Sequence, residues 1–228
     1  MDEVTPKNWI ITTLGEIAHW SSGGTPKRGN KAYFGGDIPW IKTGDLNDSV
    51  IRDTSEYITD LGLEKSSAKL FPKGSILIAM YGATIGKTGV LGIDAATNQA
   101  CAAAQPHKGV INTFLHYYLK SEKQNFIDKG KGGAQPNISQ TVIKAHRFPL
   151  PPLPEQKRIV AKLDQLFGHL EVLKAKLDRI PDLLADFRRS VLTQAVTGKL
   201  TEEWRIKSKI GFNQWGKTSI EQLLAGDM

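Results

Sequence analysis

An α+β fold, in which a globular mixed α/β domain precedes long coiled-coil helices with a proline break, is what this sequence predicts, and three observations carry it. Apolar residues recur at Ile159, Leu163, Leu166, Leu170, Leu173, Leu177, Ile180, Leu184, Phe187 and Val191, in steps that alternate four and three. That spacing keeps one seam of an α-helix facing a partner helix, as in a coiled coil. Residues 1–148 instead carry short β-type runs broken by glycine, with no sustained helical period. Between them stand Pro149, Pro151, Pro152 and Pro154, a stiff extended hinge that no preceding helix can cross.

In chain order, Trp9-Ile10-Ile11 reads as extended. Thr13, with Glu16 three residues on, has the pattern of a capping box opening a short helix over residues 14–20. Residues 21–30 are a polar, glycine-containing loop. Ile38-Pro39-Trp40-Ile41-Lys42 reads as an edge strand, because Pro39 cannot donate to a ladder. Residues 75–81 form the strongest strand, apolar on both faces and therefore expected at the centre of a sheet. A turn over residues 82–86 leads into a second arm at 87–93. A helix is expected over residues 113–129, capped by Asn112 and closed by Gly130, with Phe114, Leu115, Tyr118, Leu119 and Phe126 facing inward. The seam helix itself is expected over about 25 residues from Glu155, reaching roughly 37 Å at 1.5 Å per residue. Pro181 removes a hydrogen bond to the Leu177 carbonyl and should kink this rod or split it. Gly198 has the character of a C-cap.

The domain boundaries predicted from this pattern are 1–148 for the globular domain, 149–200 for the helical spacer and 201–228 for a linker. In the last segment, Trp215-Gly216-Lys217-Thr218-Ser219-Ile220-Glu221-Gln222-Leu223 echoes Trp9-Ile10-Ile11-Thr12-Thr13-Leu14-Gly15-Glu16-Ile17 in type and spacing. It reads as the start of a second repeat.

The 228 residues are 40% hydrophobic, enough for a real core. No run of about 18 apolar residues exists, and Met1-Asp2-Glu3-Val4 has no signal-like character, so a cytoplasmic location is expected. Cys101 is the only cysteine and lies among alanines, which reads as a buried small residue rather than a nucleophile. A net charge of +7 and a sequence pI near 9.4 make a polyanion a plausible partner.

Catalytic chemistry finds little support. Gly82-Ala83-Thr84-Ile85-Gly86-Lys87-Thr88 approaches a phosphate-binding loop, but three residues separate its glycines where four are needed. The histidines at 19, 107, 116, 146 and 169 share no metal-ligand spacing. There is no G-x-S-x-G elbow, and Gly130-Lys131-Gly132 does not follow a strand as a dinucleotide site requires. What remains is a set of loop residues suited to binding: Thr25, Lys27, Arg28, Lys42, Thr43, Tyr81, Thr84, Lys87, Asn98, Gln99, Lys131, Gln135 and Asn137. The cations can neutralise phosphates, and the amides carry the paired donor and acceptor that the major-groove edge of adenine requires. Each alone is ordinary in a solvated loop or turn; the set is more telling than its members.

Four segments together resemble the DNA specificity subunit of type I restriction-modification systems: Gly36-Asp37-Ile38-Pro39-Trp40-Ile41-Lys42-Thr43-Gly44-Asp45-Leu46, Gly82-Ala83-Thr84-Ile85-Gly86-Lys87, Pro151-Pro152-Leu153-Pro154-Glu155-Gln156-Lys157-Arg158-Ile159-Val160, and Thr197-Gly198-Lys199-Leu200-Thr201. The resemblance implies a non-catalytic protein with a target-recognition domain for one half of a split site in double-stranded DNA. It also implies helices that pair antiparallel with a like element and dock modification subunits, and through them restriction subunits. No cofactor is expected on this chain; S-adenosylmethionine and ATP would belong to the partners. Family members carry two such repeats, so one copy implies either a shortened chain or a half-subunit that completes itself as a homodimer. A coiled-coil scaffold without DNA recognition is the alternative reading, and a nucleotide hydrolase using residues 82–88 a third.

Overall fold

The computed structural model describes residues 6–130 and 136–209, in two compact units, Met1–Asp164 and Gln165–Met228. The first begins with β1 (Ile10–Thr13), α1 (Leu14–Ile17) and β2 (Ala18–Ser22). Glu16 accepts from the Thr13 backbone N–H at 3.1 Å, yet the helix ends after one turn, since Ala18 is already extended. The expected helix over residues 14–20 is thus corrected to one turn and a strand. The Trp20 indole donates to the Leu14 carbonyl at 2.7 Å, and sheet pairing overrides the weak local preference beyond Ile17.

Next come β3 (Phe34–Ile41), β4 (Ser49–Ile51), β5 (Tyr57–Ile58), α2 (Asp60–Glu64), β6 (Leu70–Phe71), β7 (Ile76–Ala79), β8 (Thr88–Leu91), β9 (Ala95–Thr97) and β10 (Cys101–Pro106). They form a five-stranded sheet in the order β2-β10-β7-β8-β4 and a four-stranded sheet in the order β5-β3-β9-β6. The run at 75–81 is central, as its two apolar faces require. Ile76, Ile78 and Met80 face one core cluster, while Leu77 and Ala79 face another. Strand β10 splits the same way, with Ala102 and Ala104 on one side and Cys101 and Ala103 on the other. Residues alternate across a strand, so each face needs its own cover. The second sheet supplies one cover and helices the other.

The edge-strand expectation for Pro39 is corrected: β3 lies between β5 and β9. Pro39 stands opposite Tyr57, and the neighbouring ladder bond runs from the Trp40 N–H to the Glu56 carbonyl at 2.9 Å. On the other side β9 pairs only with Trp40 and Ile41. Neither neighbour needs a donor from the proline, so an interior position is tolerated.

The helical cover consists of α3 (Asn112–Ser121), α4 (Lys123–Asp128) and α5 (Gln140–Lys144), followed by β11 (Arg147–Leu150), which pairs antiparallel with β1. The single helix expected over residues 113–129 is broken at Glu122, whose carboxylate accepts from His146 Nε2 at 2.8 Å and Asn125 Nδ2 at 2.6 Å. Phe114, Leu115, Leu119 and Phe126 are buried as expected. Asn112 does not cap α3: it is the first helical residue, and its amide donates to the Gly74 carbonyl at 2.6 Å.

The seam helix α6 (Leu153–Asp178) starts at the proline cluster. Gln156, on its first turn, is fully buried. Its Oε1 accepts from the Ile111 N–H at 2.9 Å, and its Nε2 donates to the carbonyls of Gly109 at 3.0 Å and Pro151 at 2.9 Å. Ile159 and Val160 pack against the head's core, and the Tyr117 hydroxyl donates to Asp164.

In the second unit α6 continues to Asp178 and α7 (Ile180–Val196) follows after Arg179, which keeps right-handed helical dihedrals. Pro181 lies in the first turn of α7, where a missing N–H is least costly. Gly198, at φ 71°, ends it in the left-handed conformation that glycine adopts readily. A 3-10 turn (Lys199–Thr201) and α8 (Glu202–Lys207) follow. Leu166, Leu170, Leu173, Leu177, Ile180, Leu184 and Phe187 are 44–67% exposed. The echo at Trp215 lies outside the described residues.

Replacing Gln156 by Leu leaves one backbone donor and two carbonyls in the head without their side-chain partner. Unfolding of this variant in urea should show a loss of about 3 kcal/mol at unchanged m-value; a loss below about 1 kcal/mol would refute this role for the side chain.

Candidate functional site

Strand register brings several of the predicted loop residues to one end of the head. The start of β10 lies beside the ends of both β2 and β7, with Ala102 opposite Ser22 and Cys101 opposite Ala79. Strands β3 and β9 run parallel, with Ile41 opposite Thr97, so they finish together. Lys42 and Thr43 therefore emerge beside Asn98 and Gln99, and Ser22 to Thr25 and Tyr81 emerge at the same end.

Close backbone approach fixes the first loop. A Cβ on Gly23 would lie 1.9 Å from the Thr97 carbonyl oxygen, and one on Gly24 would lie 2.2 Å from Ser67 Oγ; only glycine fits either place. Gly24 donates to the Thr97 carbonyl at 2.9 Å and accepts from the buried Trp40 indole at 3.0 Å. The Thr25 hydroxyl donates to Gln99 Oε1. Asn98 Oδ1 accepts from the Ala100 N–H at 3.2 Å, which is turn-forming work ordinary for asparagine.

Beside them, Arg28 Nη1 meets Glu56 Oε2 at 2.6 Å and Lys42 Nζ meets Glu56 Oε1 at 2.5 Å. The Arg28 guanidinium lies over Trp40 and Phe34, 4.8 and 5.1 Å from the ring centroids. Hydrogen bonds from Lys42 and Arg28 hold the Glu56 carboxyl below the usual carboxylate range. Lys27 is exposed at the loop tip, and Thr43 opens a 3-10 turn (Thr43–Asp45) whose Asp45 carboxylate accepts from the Lys42 N–H at 2.8 Å.

The second group sits on the β7–β8 connection. Tyr81 and Asn137 form an antiparallel bridge and both are exposed. The Thr84 hydroxyl donates to the Tyr81 carbonyl at 2.8 Å, and the half-buried Lys87 follows the turn. This connection leads into a strand, whereas a phosphate-binding loop of the P-loop kind opens a helix of its own. Lys131 and Gln135 lie outside the described residues.

Behind this turn lies a network that sequence reasoning missed. Asp48, at φ 61°, accepts from the Thr88 N–H at 2.8 Å and hydroxyl at 3.0 Å, and His116 Nε2 lies 3.1 Å from the same hydroxyl. Lys120 donates to the Asp48 carbonyl at 3.2 Å, and Lys123 is 3.6 Å from its carboxylate. Burial alone would raise the Asp48 carboxyl, but the Thr88 hydrogen bonds and the two lysines hold it below its ordinary value. Burial, helped by Lys120 and opposed by Asp48, pushes His116 down to about 4. Glu56 and Asp48 gave no sequence signal, since their partners are far along the chain, and Thr88 drew notice only as the end of the glycine-bounded run at 82–88. Cys101 is buried and its thiol is pushed up by burial. Among the described residues no group of His, Cys, Asp and Glu could hold a metal ion, and no helix is long and apolar enough to cross a membrane.

Loops of mixed cationic, amide and hydroxyl character gather at one end of two stacked sheets, in a chain that also carries a long helix with an apolar seam. The chain belongs to the type I restriction modification DNA specificity domain family, whose model matches residues 6–182. It is 31% identical over 209 residues to the type I restriction enzyme EcoKI specificity subunit of Escherichia coli K12, covering 88% of this chain and 45% of that protein. It is also similar to a chain from a structure described as the basis of complex assembly and conformational transition of the type I R-M system (TM-score 0.67, 25% identity, 83% of this chain and 46% of that one). The HsdS subunit from Thermoanaerobacter tengcongensis is a further structural relative (TM-score 0.60, 26% identity, 74% and 40%). The chain spans less than half the length of these relatives.

A histidine whose folded-state pKa lies below its unfolded value contributes stability that is complete above the unfolded pKa, 6.5, and lost as pH falls toward about 4. Between pH 7 and 5 the native chain should therefore lose about 2 kcal/mol more than His116→Gln in denaturant titrations. Equal losses in the two proteins would refute the assignment.

Proposed function

We propose that this chain supplies DNA sequence specificity to a type I restriction-modification complex. Residues 1–148 recognise one half of a split site in double-stranded DNA. Residues 149–200 act as a spacer whose seam pairs with a like helical element and whose outer faces dock modification subunits, which in turn bring restriction subunits. Residues 201–228 are a linker and the start of a second repeat. Methylation and cleavage, with S-adenosylmethionine and ATP, reside on those partners, and the complex works in the cytoplasm. A single repeat reads a half-site, so two copies related by a two-fold axis read an inverted repeat.

The observation that carries this reading is the convergence of Lys42, Thr43, Asn98, Gln99 and Tyr81 at the shared end of the two sheets, on strands whose register fixes their spacing. Cations placed beside amides and hydroxyls are the groups that position a phosphate backbone and read base edges. The exposed seam supports the helical role: a solvent-facing apolar stripe of this length is what partner helices cover.

Binding of duplexes by the full chain with its modification subunits should weaken steeply with salt. Gln99→Ala should relax preference at one base position by about 1–3 kcal/mol, whereas Lys87→Met should weaken all duplexes alike. Absence of any sequence preference at every salt concentration would remove the reading. Changing Leu166, Leu170 and Leu173 together to Asp should convert a dimer to a monomer in sedimentation; an unchanged mass would exclude the seam as the contact.

A further inference from the structure

Arg28 and Lys42 come from different loops, yet one carboxylate engages both. Each oxygen of Glu56 takes one cation, Oε2 the guanidinium at 2.6 Å and Oε1 the ammonium at 2.5 Å. Two oxygens of one anion bridging an arginine and a lysine is the arrangement a phosphodiester makes with its two non-bridging oxygens.

The surroundings hold this arrangement in place. The guanidinium rests on Trp40 and Phe34, which meet edge to face at 6.2 Å, and the Trp40 indole is tied to Gly24. The Glu56 backbone is fixed by its carbonyl accepting from the Trp40 N–H at 2.9 Å. The cations are therefore positioned by the fold. The three side chains also stay within reach of solvent, with Arg28 55%, Lys42 30% and Glu56 29% exposed, so an incoming anion can compete.

We propose that Glu56 is a built-in stand-in for a DNA phosphate: it occupies Arg28 and Lys42 in the free protein and yields them to the duplex backbone on binding. This rests on the DNA-recognition reading above and adds a threshold to it. A random duplex must displace the carboxylate with backbone contacts alone, while a matching site has base contacts to drive the exchange. After exchange Glu56 faces the duplex as an unpaired anion and takes up a cation, which lessens the net counterion release of binding.

The test compares the full chain with Glu56→Gln, which keeps the side chain's size and removes its charge. Two duplexes are used, one of random sequence and one selected by the native chain from a random pool. The variant should bind both duplexes about three- to tenfold more tightly at low salt, because a cost common to both has been removed, and show a steeper slope of log affinity against log salt. A variant that binds both duplexes more weakly would overturn the proposal, because Glu56 would then serve only to position the cations; equal binding by the two proteins would overturn it as well. Inorganic phosphate gives an independent readout: it should raise the melting temperature of the variant and leave the native chain nearly unmoved. If phosphate stabilises only the variant while neither protein retains DNA, the anion site stands and the DNA reading falls. If the native chain selects a duplex while the variant ignores phosphate, the DNA reading stands and this proposal falls.

Discussion

Burial of a glutamine whose two N–H donors and amide oxygen are all paired is the constraint on which the head's junction with its helix depends. Gln156 satisfies the Ile111 N–H just before α3, whose N-cap has no side-chain cap of its own, and the carbonyls of Gly109 and Pro151. A polar side chain so placed is costly unless every group is paired, and then it specifies one geometry. The surrounding prolines complete the device. Pro152 ends the extended segment and accepts from the N–H groups of Glu155 and Gln156, and Pro154 sits where a helix has no partner for an N–H anyway. Asn8, ahead of β1, donates to Glu155 at 3.2 Å, so both ends of the head's chain meet at this turn. The Pro-Pro-Leu-Pro-Glu-Gln run thus anchors the first turn of α6 to the head.

The same economy governs the loop end. A strand covered on both faces cannot carry polar residues along its length, so chemistry is displaced to its termini. In β7 and β10 every position from Ile76 to Ala79 and from Cys101 to Ala104 is buried. Polar groups resume at Tyr81 and at Asn98 and Gln99, immediately outside. Antiparallel pairing of β10 with β2 and β7, and parallel pairing of β3 with β9, brings these termini to one end. This gathering of polar loops is a geometric consequence of a core built from a central strand with two apolar faces.

Periodicity made part of this legible in the sequence. The long helix after the prolines, the central strand at 75–81, the buried faces of the helix beginning near 113 and the Gly198 stop all follow from local pattern, and each is found. What local pattern misjudged were places where a distant partner decided the outcome. Residues 18–22 are a strand because β10 lies alongside, and Pro39 is interior because its two neighbours make no demand on its nitrogen. The helix at 113–129 breaks because Glu122 turns to His146, 24 residues away. For the loop end, residue type offered Lys42, Asn98 and Gln99 as candidates but could not pair Arg28 and Lys42 through Glu56, because an isolated glutamate reads as a solvated face. Nor could it separate the turn-forming use of Asn98 from a base-reading one.

A formal charge of +7 overstates what the head offers a polyanion. Arg28 and Lys42 share Glu56, Lys120 and Lys123 face Asp48, and Lys129 lies 2.7 Å from His146 Nδ1. One carboxylate offsets one of the two cations in each cluster and Lys129 meets a neutral ring, so the head's field is reduced but stays positive, and it is screened beyond the Debye length of about 8 Å in physiological salt. Among the described residues Lys27, at an exposed tip, and Lys87, on the turn after Thr84, have no carboxylate partner. Attraction by charge alone is therefore lowered, and a ligand gains most where shape lets it exchange one contact for another. Specificity is a difference of affinities, so a term shared by all duplexes leaves the ratio unchanged. Lowering that shared term acts on occupancy instead: at a given concentration fewer non-matching duplexes are held, and a duplex is retained only where hydrogen bonds to base edges add to the backbone contacts. On the proposed half-site reading this matters most, because half a site supplies half of those added contacts.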